Sequence, residues 1–532
     1  MGEGERIFLY DTTLRDGSQQ AGIHFSLGDK LRILERLDQF GIDYVEGGWP
    51  GSNPKDLEFF RRAKKIPLRH ARLSAFGSTR RPGVEVQRDA NVRALLEAGT
   101  PVVTVFGKSW DLHVREALDT DLGENLAMIR DTVAFLKARV EEVIYDAEHF
   151  FDGFKSNPQY ALATVEAALE GGADWVVLCD TNGGALPHEV GEVCARVGEK
   201  FGCRLGIHTH DDGGLAVANA LEAVRRGCRQ VQGTINGYGE RCGNANLCTL
   251  IPNLVLKMGY RAGEVERLSL LASLSHFVSE VANQTHSPSY PYVGANAFAH
   301  KGGVHVSAVL KNPRTYEHIP PETVGQRRRF IVSELSGRAN LAHFARERKL
   351  PLEKDDDRAR DLLERLKAME YEGYQFEAAE ASLDLLMRRA LGEFPDFFSL
   401  LGFRVIVEKD GEASARAEAT VKVRVGDRVL HTAAEGEGPV NALDKALRKA
   451  LESAYPALRK IRLVDYKVRV LDEKEGTGAR VRVLIESADE EESWSTIGVS
   501  HNIIEASWQA LVDSLSYGLW RRAQRKAREK SG

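Results

Sequence analysis

The chain has 532 residues, 43% hydrophobic and 28% charged, a globular mix that excludes a collagenous, low-complexity or wholly disordered protein. Its 72 basic and 77 acidic side chains leave a net charge of −5, which gives no footprint for nucleic acid or an anionic membrane. Six scattered cysteines without a CxxC pair argue against a disulfide scaffold or a thiolate zinc site, and no apolar stretch approaches the ~20 residues of a membrane helix. The first residues carry neither a basic segment nor a long apolar one, so no secretory signal and a cytoplasmic location are expected.

The first half repeats one theme: a short apolar run, a polar loop, then an amphipathic segment. The runs are Ile7–Tyr10, Tyr44–Glu46, Arg72–Phe76, Val102–Phe106, Glu142–Tyr145, Trp175–Leu178, Leu205–Ile207 and Gln230–Thr234. Their starts lie about 25 to 40 residues apart, the size of one βα unit. After the first run, Leu31, Leu34, Leu37 and Phe40 form a stripe at i, i+3 spacing that predicts a helix over 27–40, with Ser26 and Asp29 as an approximate capping box. Eight such units over about 260 residues predict a (β/α)8 TIM barrel covering 1–264. An open doubly wound sheet is the rival. It usually has fewer units and a Gly-rich first turn, whereas the first loop here reads Asp11-Thr-Thr-Leu-Arg-Asp-Gly17.

Residues 265–392 lack that rhythm. Leu268–Ala282 reads as helix, Gln284–Gly303 as loop and Asp355–Leu391 as charged helix, which together predict an all-α accessory region. From 393 to 532 strand-like alternation returns in Phe403–Val407, Ala417–Val425, Lys467–Leu471 and Ala479–Ile485. The pattern is duplicated: a strand, a turn and a helix opening at Gly436–Leu447 recur as a strand, a turn and a helix opening at Ile497–Ala506. A pseudo-symmetric α+β domain is expected, and the basic tail after Trp520 reads as a solvated helix end.

In such a barrel the reacting groups sit on the loops after the strands. Strand 1 ends in Arg15-Asp16, strand 5 in Asp146-Ala-Glu148-His149, strand 6 in Asp180-Thr181-Asn182 and strand 7 in His208-Thr-His210. His208 and His210, two apart on a strand, share a face and can converge on one ion. Asp16, after strand 1 and so separated from strand 7 only by strand 8 around the mouth, can add a carboxylate, and Asn244, in the loop after strand 8, a neutral oxygen. The alternative is two histidines satisfied in a polar rim. Arg15 keeps its charge and suits a developing enolate or a carboxylate; its alternative is a surface ion pair with Asp11 or Glu46. Glu148 is either a base or the group that fixes Arg15. Thr181 either holds a substrate carboxylate or caps a helix.

Asp11-Thr-Thr-Leu-Arg-Asp-Gly17 with Gln19, His208-x-His210 and Gly237-x-Gly-Glu-Arg-x-Gly-Asn244 resemble the signatures of the α-isopropylmalate, homocitrate and citramalate synthase family. Phe298-Ala-His-Lys-Gly-Gly-Val-His305 and Val309-Leu-Lys-Asn-Pro-Arg-Thr-Tyr316 resemble its accessory subdomain. Gly436-x-Gly-Pro-Val-x-Ala442 and Asn502-Ile-Ile-Glu-Ala-Ser-Trp508 resemble its C-terminal allosteric domain. The segment Val45–Asp56 resembles the branch whose acceptor is pyruvate; the runner-up is the isopropylmalate branch, with room for 2-oxoisovalerate. The resemblance implies a Claisen-type condensation of acetyl-CoA with pyruvate and hydrolysis of the adduct to (R)-citramalate and CoA, toward isoleucine. It implies a divalent metal (Mn, Mg, Co or Zn) on Asp16, His208, His210 and Asn244. Arg15 would stabilise oxygen charge, Thr181 would bind the pyruvate carboxylate, and Glu148 falls where the family places an active-site glutamate. His305 and Tyr316 would match the residues linked to acetyl-CoA activation.

A homodimer is implied as well, with the accessory region crossing to the partner. Isoleucine is the expected feedback inhibitor, received at helix N-termini by Gly438, Val440, Asn441, Ala442, Gly498, Val499 and Asn502. A dimerisation domain without a ligand is the alternative. Ser18 stands where relatives often carry Glu or Ala, a departure expected to affect loop packing more than chemistry. Related lyases lack the C-terminal repeat, and a non-catalytic sensor would have lost the strand-end residues present here.

Overall fold

In the computed structural model, which describes residues 4–263, 265–333, 336–353, 355–412, 414–471 and 473–531, the eight apolar runs become eight parallel strands. They are β1 Arg6–Asp11, β2 Tyr44–Gly48, β3 Arg72–Ser78, β4 Val102–Lys108, β5 Glu142–Glu148, β6 Trp175–Asp180, β7 Leu205–Thr209 and β8 Gln230–Gly233. Each pairs with the next, and β8 returns to β1 with Phe8 opposite Gln230, closing a (β/α)8 barrel. A two-residue strand, β9 Arg261–Ala262, extends β1 on its other side. This barrel lies in one compact unit, Met1–Phe298 with Ile319–Arg328; a second comprises Ala299–His318 and Arg329–Gly532.

Strand alternation decides what fills the barrel. Ile7, Leu9, Val103 and Val105 point outward into the packing of the helices, whereas Tyr10, Tyr44, Val102, Ile144 and Trp175 point inward. The interior also buries a carboxylate at its floor. Glu142 accepts hydrogen bonds from Tyr44 (3.0 Å) and Trp175 Nε1 (2.8 Å) and pairs with Arg72, so its charge is matched where water is excluded.

The helix Leu27–Phe40 carries the expected capping box: Asp29 N donates to Ser26 Oγ (3.2 Å) and Ser26 N to Asp29 Oδ2 (3.0 Å). Its buried stripe runs through Lys30, Ile33, Leu34, Leu37 and Phe40, and Leu31 falls to the flank. A strict i, i+3 row drifts round a helix of 3.6 residues per turn, so the mixed 3–4 spacing wins.

In the second unit β10 Ala299–His300 and β11 Arg329–Phe330 form a short parallel pair, so the accessory region is not purely helical. Helices Gly303–Lys311, Arg338–Glu347, Asp357–Tyr371 and Glu380–Ala390 make up most of the rest. The duplicated domain then appears as two antiparallel sheets, each with one helix across a face. β12 Ser399–Glu408, β13 Arg416–Val425 and β14 Arg428–Gly436 carry the helix Pro439–Leu451; β15 Arg462–Val470, β16 Val481–Ala488 and β17 Ser493–Ser500 carry the helix Ile503–Ser531. Even the irregularities repeat, because both first strands have a bulge near their start, at Leu400/Gly402 and Leu463/Asp465.

β14 and β17 are absent from the sequence-based strands. The Ala-Ala-Glu-Gly end of β14 has little strand propensity of its own. A two-residue turn that sets Arg428 opposite Val425 imposes its pairing. β17 extends to Ser500, paired with Val481, so the second helix opens at Ile503 and not at Ile497. The basic tail is not simply solvated: Arg521 pairs with Glu492 (2.6 Å) and Arg525 with Asp489 (2.8 Å). No helix among the described residues is long and apolar enough to cross a membrane.

Candidate active site

His208 and His210 leave the end of β7 on one face and enter the barrel mouth with their Nε2 atoms 3.3 Å apart. Asp16 reaches them from the loop after β1, its Oδ2 3.5 Å from His208 Nε2 and 3.9 Å from His210 Nε2. All three are buried, and one ligand atom from each lies within 4.8 Å of the others. Asn244, from the loop after β8, brings its amide to 3.2 Å from both Asp16 Oδ2 and His208 Nε2.

This donor set fits a divalent cation. Asp16 Oδ1 and Asn244 Oδ1 are buried without a hydrogen-bond partner among the described residues, which is costly unless a cation takes them. Gln232 Nε2 donates to Asp146 Oδ1 (3.2 Å), so its Oε1 faces His208 Nδ1 at 3.0 Å and accepts that proton. The tautomer so fixed leaves the His208 Nε2 lone pair toward Asp16. Burial by itself would raise the Asp16 pKa, but Arg15 and His208 hold it well below the usual carboxylate range. Burial, then the neighbouring His208, push His210 down to about 3, so it stands neutral. Burial opposes a charge on His208, yet contact with Asp16 raises its pKa; that face favours a positive charge, proton or metal.

Arg15 makes no surface pair. Its Nε donates to Glu46 Oε1 (2.6 Å), its Nη1 lies 3.3 Å from Asp16 Oδ2, and its guanidinium lies over the Phe76 ring at 3.7 Å. Glu46 is fully buried and accepts from the Tyr10 hydroxyl (2.8 Å), while Asp11 bonds instead to Thr13. Glu148 pairs with Lys108, so it does not serve as the anchor of Arg15. Thr181 caps no helix; its Oγ1 accepts the His149 backbone N–H (2.9 Å). Ser18 Oγ donates to the Arg15 carbonyl (2.6 Å), a loop-packing role.

Arg15, Asp16, Glu148, Thr181, His208 and His210 line one cavity of about 170 Å³ at the barrel mouth. Asp146, named at the end of strand 5, lines it too, as do Trp49, Phe76 and Phe106, none of which was singled out by sequence reasoning. The signal was there in part: Phe76 and Phe106 keep the inward phase of Ser74 and Thr104, and carrying that phase to the strand ends places them at the mouth.

Residues 6–276 match the HMGL-like family, residues 292–373 the homocitrate synthase post-HMGL domain-like family, and residues 377–519 the LeuA allosteric (dimerisation) domain. Over 517 residues the chain is 57% identical to an (R)-citramalate synthase of Aquifex aeolicus, covering 97% of this chain and 98% of that one. It is 55% identical over 514 residues to an (R)-citramalate synthase of Geobacter sulfurreducens, covering 96% and 97%. The chain belongs to the citramalate synthase family. A 2-isopropylmalate synthase of a Synechococcus strain is more distant, 30% identical over 532 residues and covering 96% and 95%.

The remaining candidate residues of this citramalate synthase family member lie in the second unit. His305, on the helix Gly303–Lys311, stacks on Tyr316 with ring centroids 4.1 Å apart, and Tyr316 is half exposed. Beside them a buried pair, His300 Nε2 and Glu317 Oε1 (3.1 Å), ties the two chain segments together. In the duplicated domain Gly438 and Asn502 directly precede the two helices, and Asn502 Oδ1 accepts from Ile504 N (2.8 Å). Asn441 Oδ1 accepts from Glu437 N (3.2 Å), and Ala442 is buried under the first helix. Val440 packs on a cluster of the second repeat that includes Val483, Ala506 and Ala510. Gly498 and Val499 lie inside β17, where Val499 N donates to Gln509 Oε1 (3.0 Å).

Proposed function

We infer that the chain condenses acetyl-CoA with pyruvate and hydrolyses the adduct to (R)-citramalate and CoA. The identity of 47–57% over nearly the whole length with five (R)-citramalate synthases carries this reading. The donor set and Arg15 at the barrel mouth support it. Asp16, His208, His210 and Asn244, its amide turned oxygen-first, would hold a divalent cation that polarises the acceptor's keto group. Arg15, fixed by Glu46 and the Phe76 face, meets the negative charge that grows on the keto oxygen as the new C–C bond forms. Thr181 Oγ1 accepts from His149, which leaves its own proton to donate to the acceptor carboxylate. Glu148, held by Lys108, presents a carboxylate to the same cavity. His305 with Tyr316 takes the methyl proton of acetyl-CoA, the carbanion attacks the keto carbon, and water then cleaves the thioester.

A homodimer whose accessory region serves the partner's barrel belongs to the same reading, as does inhibition by isoleucine through residues 436–442 and 497–502. The match to an allosteric (dimerisation) domain over 377–519 supports both. The test is CoA release from acetyl-CoA with pyruvate, 2-oxobutyrate, 2-oxoisovalerate and 2-oxoglutarate in parallel. Pyruvate is expected to give the highest kcat/KM; a higher value with 2-oxoisovalerate moves the assignment to 2-isopropylmalate synthase.

A further inference from the structure

One side of the mouth cavity is a wall of three aromatic rings. Phe76 and Phe106, from the neighbouring strands β3 and β4, stack at 5.3 Å and 20°. Trp49, from the loop after β2, meets both edge-on, at 5.9 and 5.6 Å. Arg15 lies on the same Phe76 ring at 3.7 Å, so the group that meets the acceptor's oxygen and the aromatic wall form one packed body.

Trp49 is held at both ends. Its Nε1 donates to Asn91 Oδ1 (2.6 Å), and Asn91 Nδ2 donates to the Ser78 carbonyl (2.7 Å) at the end of β3. Its backbone N donates to Asp56 Oδ2 (3.0 Å). Asp56 is paired in turn with the buried Lys30 (2.5 Å), whose Nζ also donates to the Gly47 carbonyl (3.1 Å). Gly48 has φ +146°, and a Cβ there would stand 2.4 Å from Asp56 Oδ2, so the turn that presents Trp49 follows one path. Asn91 and Asp56 stand behind the rings, outside the cavity lining.

A loosely held indole swings aside for a longer acceptor; one tied at its ring nitrogen and at its backbone does not. A fixed wall rejects an added branch by overlap, which discriminates more strongly than a missing methylene contact can. We propose that Trp49, locked by Asn91 and Asp56, sets the upper size limit on the side chain of the 2-oxo acid acceptor. Asn91 is a positioning residue that acts through the indole. The inference rests on the acceptor being a 2-oxo acid, as inferred above.

The test is kcat/KM for pyruvate, 2-oxobutyrate and 2-oxoisovalerate on the full chain, wild type against Trp49→Ala and Asn91→Ala. Trp49→Ala is expected to raise the ratio of 2-oxoisovalerate to pyruvate at least about ten-fold. Asn91→Ala, which leaves every lining side chain in place, is expected to raise it by less, chiefly through a lower KM for the larger acid. An unchanged ratio in a variant with a wild-type melting curve overturns the proposal while leaving pyruvate turnover, and so the functional reading, intact. If Trp49→Ala does not fold, the ratio in Asn91→Ala decides alone. Failure of the wild type to turn over any 2-oxo acid overturns the functional reading and this inference with it.

Discussion

A shared strand face brings two imidazoles together, but it does not make them ligands. What distinguishes His208 and His210 is the buried Asp16 beside them and the Gln232 amide that fixes one tautomer. Asp16→Asn keeps the shape and removes the charge. It is expected to lose bound divalent metal and at least the ~10–100-fold in metal affinity that loss of an outer hydrogen-bond partner costs. Gln232→Leu frees the His208 ring and is expected to fall within that range. Metal content after dialysis and CoA release with added Mn²⁺ or Mg²⁺ read both effects, and a metal-stripped wild type at full activity would sink the assignment. The convergence of His208 and His210 was legible because the strand period alone carries both to one face. Trp49, Phe76 and Phe106 were not, because at a strand end an aromatic of the mouth and an aromatic of the core obey the same period. Glu46 entered the sequence reading at the end of the second apolar run and as a surface partner of Arg15; it is buried because, two residues after the inward-pointing Tyr44, it shares that face and meets Tyr10 inside the barrel.

At the scale of elements, the duplicated strand–helix unit shows how closely the helices lie on their sheets. Gly498 was expected to receive a ligand at a helix N-terminus; it sits in β17, and a Cβ built on it would stand 2.0 Å from the Ala506 carbonyl oxygen. Gly498→Ala therefore forces the helix Ile503–Ser531 away from its sheet. The expected cost is about 1–3 kcal/mol, the usual price of overpacking, read as a lower Tm by calorimetry. A Tm equal to that of the wild type would mean that the helix yields without strain. The duplication itself was legible because both copies repeat their spacing, and the barrel was legible because eight runs recur at one βα length. β14 was missed because its pairing is dictated by the preceding strand and turn and not by its own residues; β17 was missed because Ile497–Ala506 was read as a helix opening, although Trp494, Thr496, Ile497 and Val499 suit a strand.

For the whole molecule the open question is how many copies build one site. β12 and β15 are edge strands of their sheets, with Leu401, Val407, Val464 and Val470 43–55% exposed, an apolar edge that a monomer leaves in water. A second copy of the chain is the expected cover. His208 and His305 lie in different units, so each can be removed separately: His208→Ala breaks the donor set of one copy, and His305→Ala removes from the other the residue proposed to take the methyl proton. Neither variant is expected to release CoA alone. If the accessory region serves the partner's barrel, a heterodimer of the two holds one intact site and one doubly damaged site. Random exchange of equal amounts makes half the dimers mixed, so the mixture is expected to regain about a quarter of wild-type activity. Native mass spectrometry establishes that exchange has occurred. No recovery after confirmed exchange would mean that each chain completes its own site, because His305 of an inactive copy would then have no intact donor set to serve.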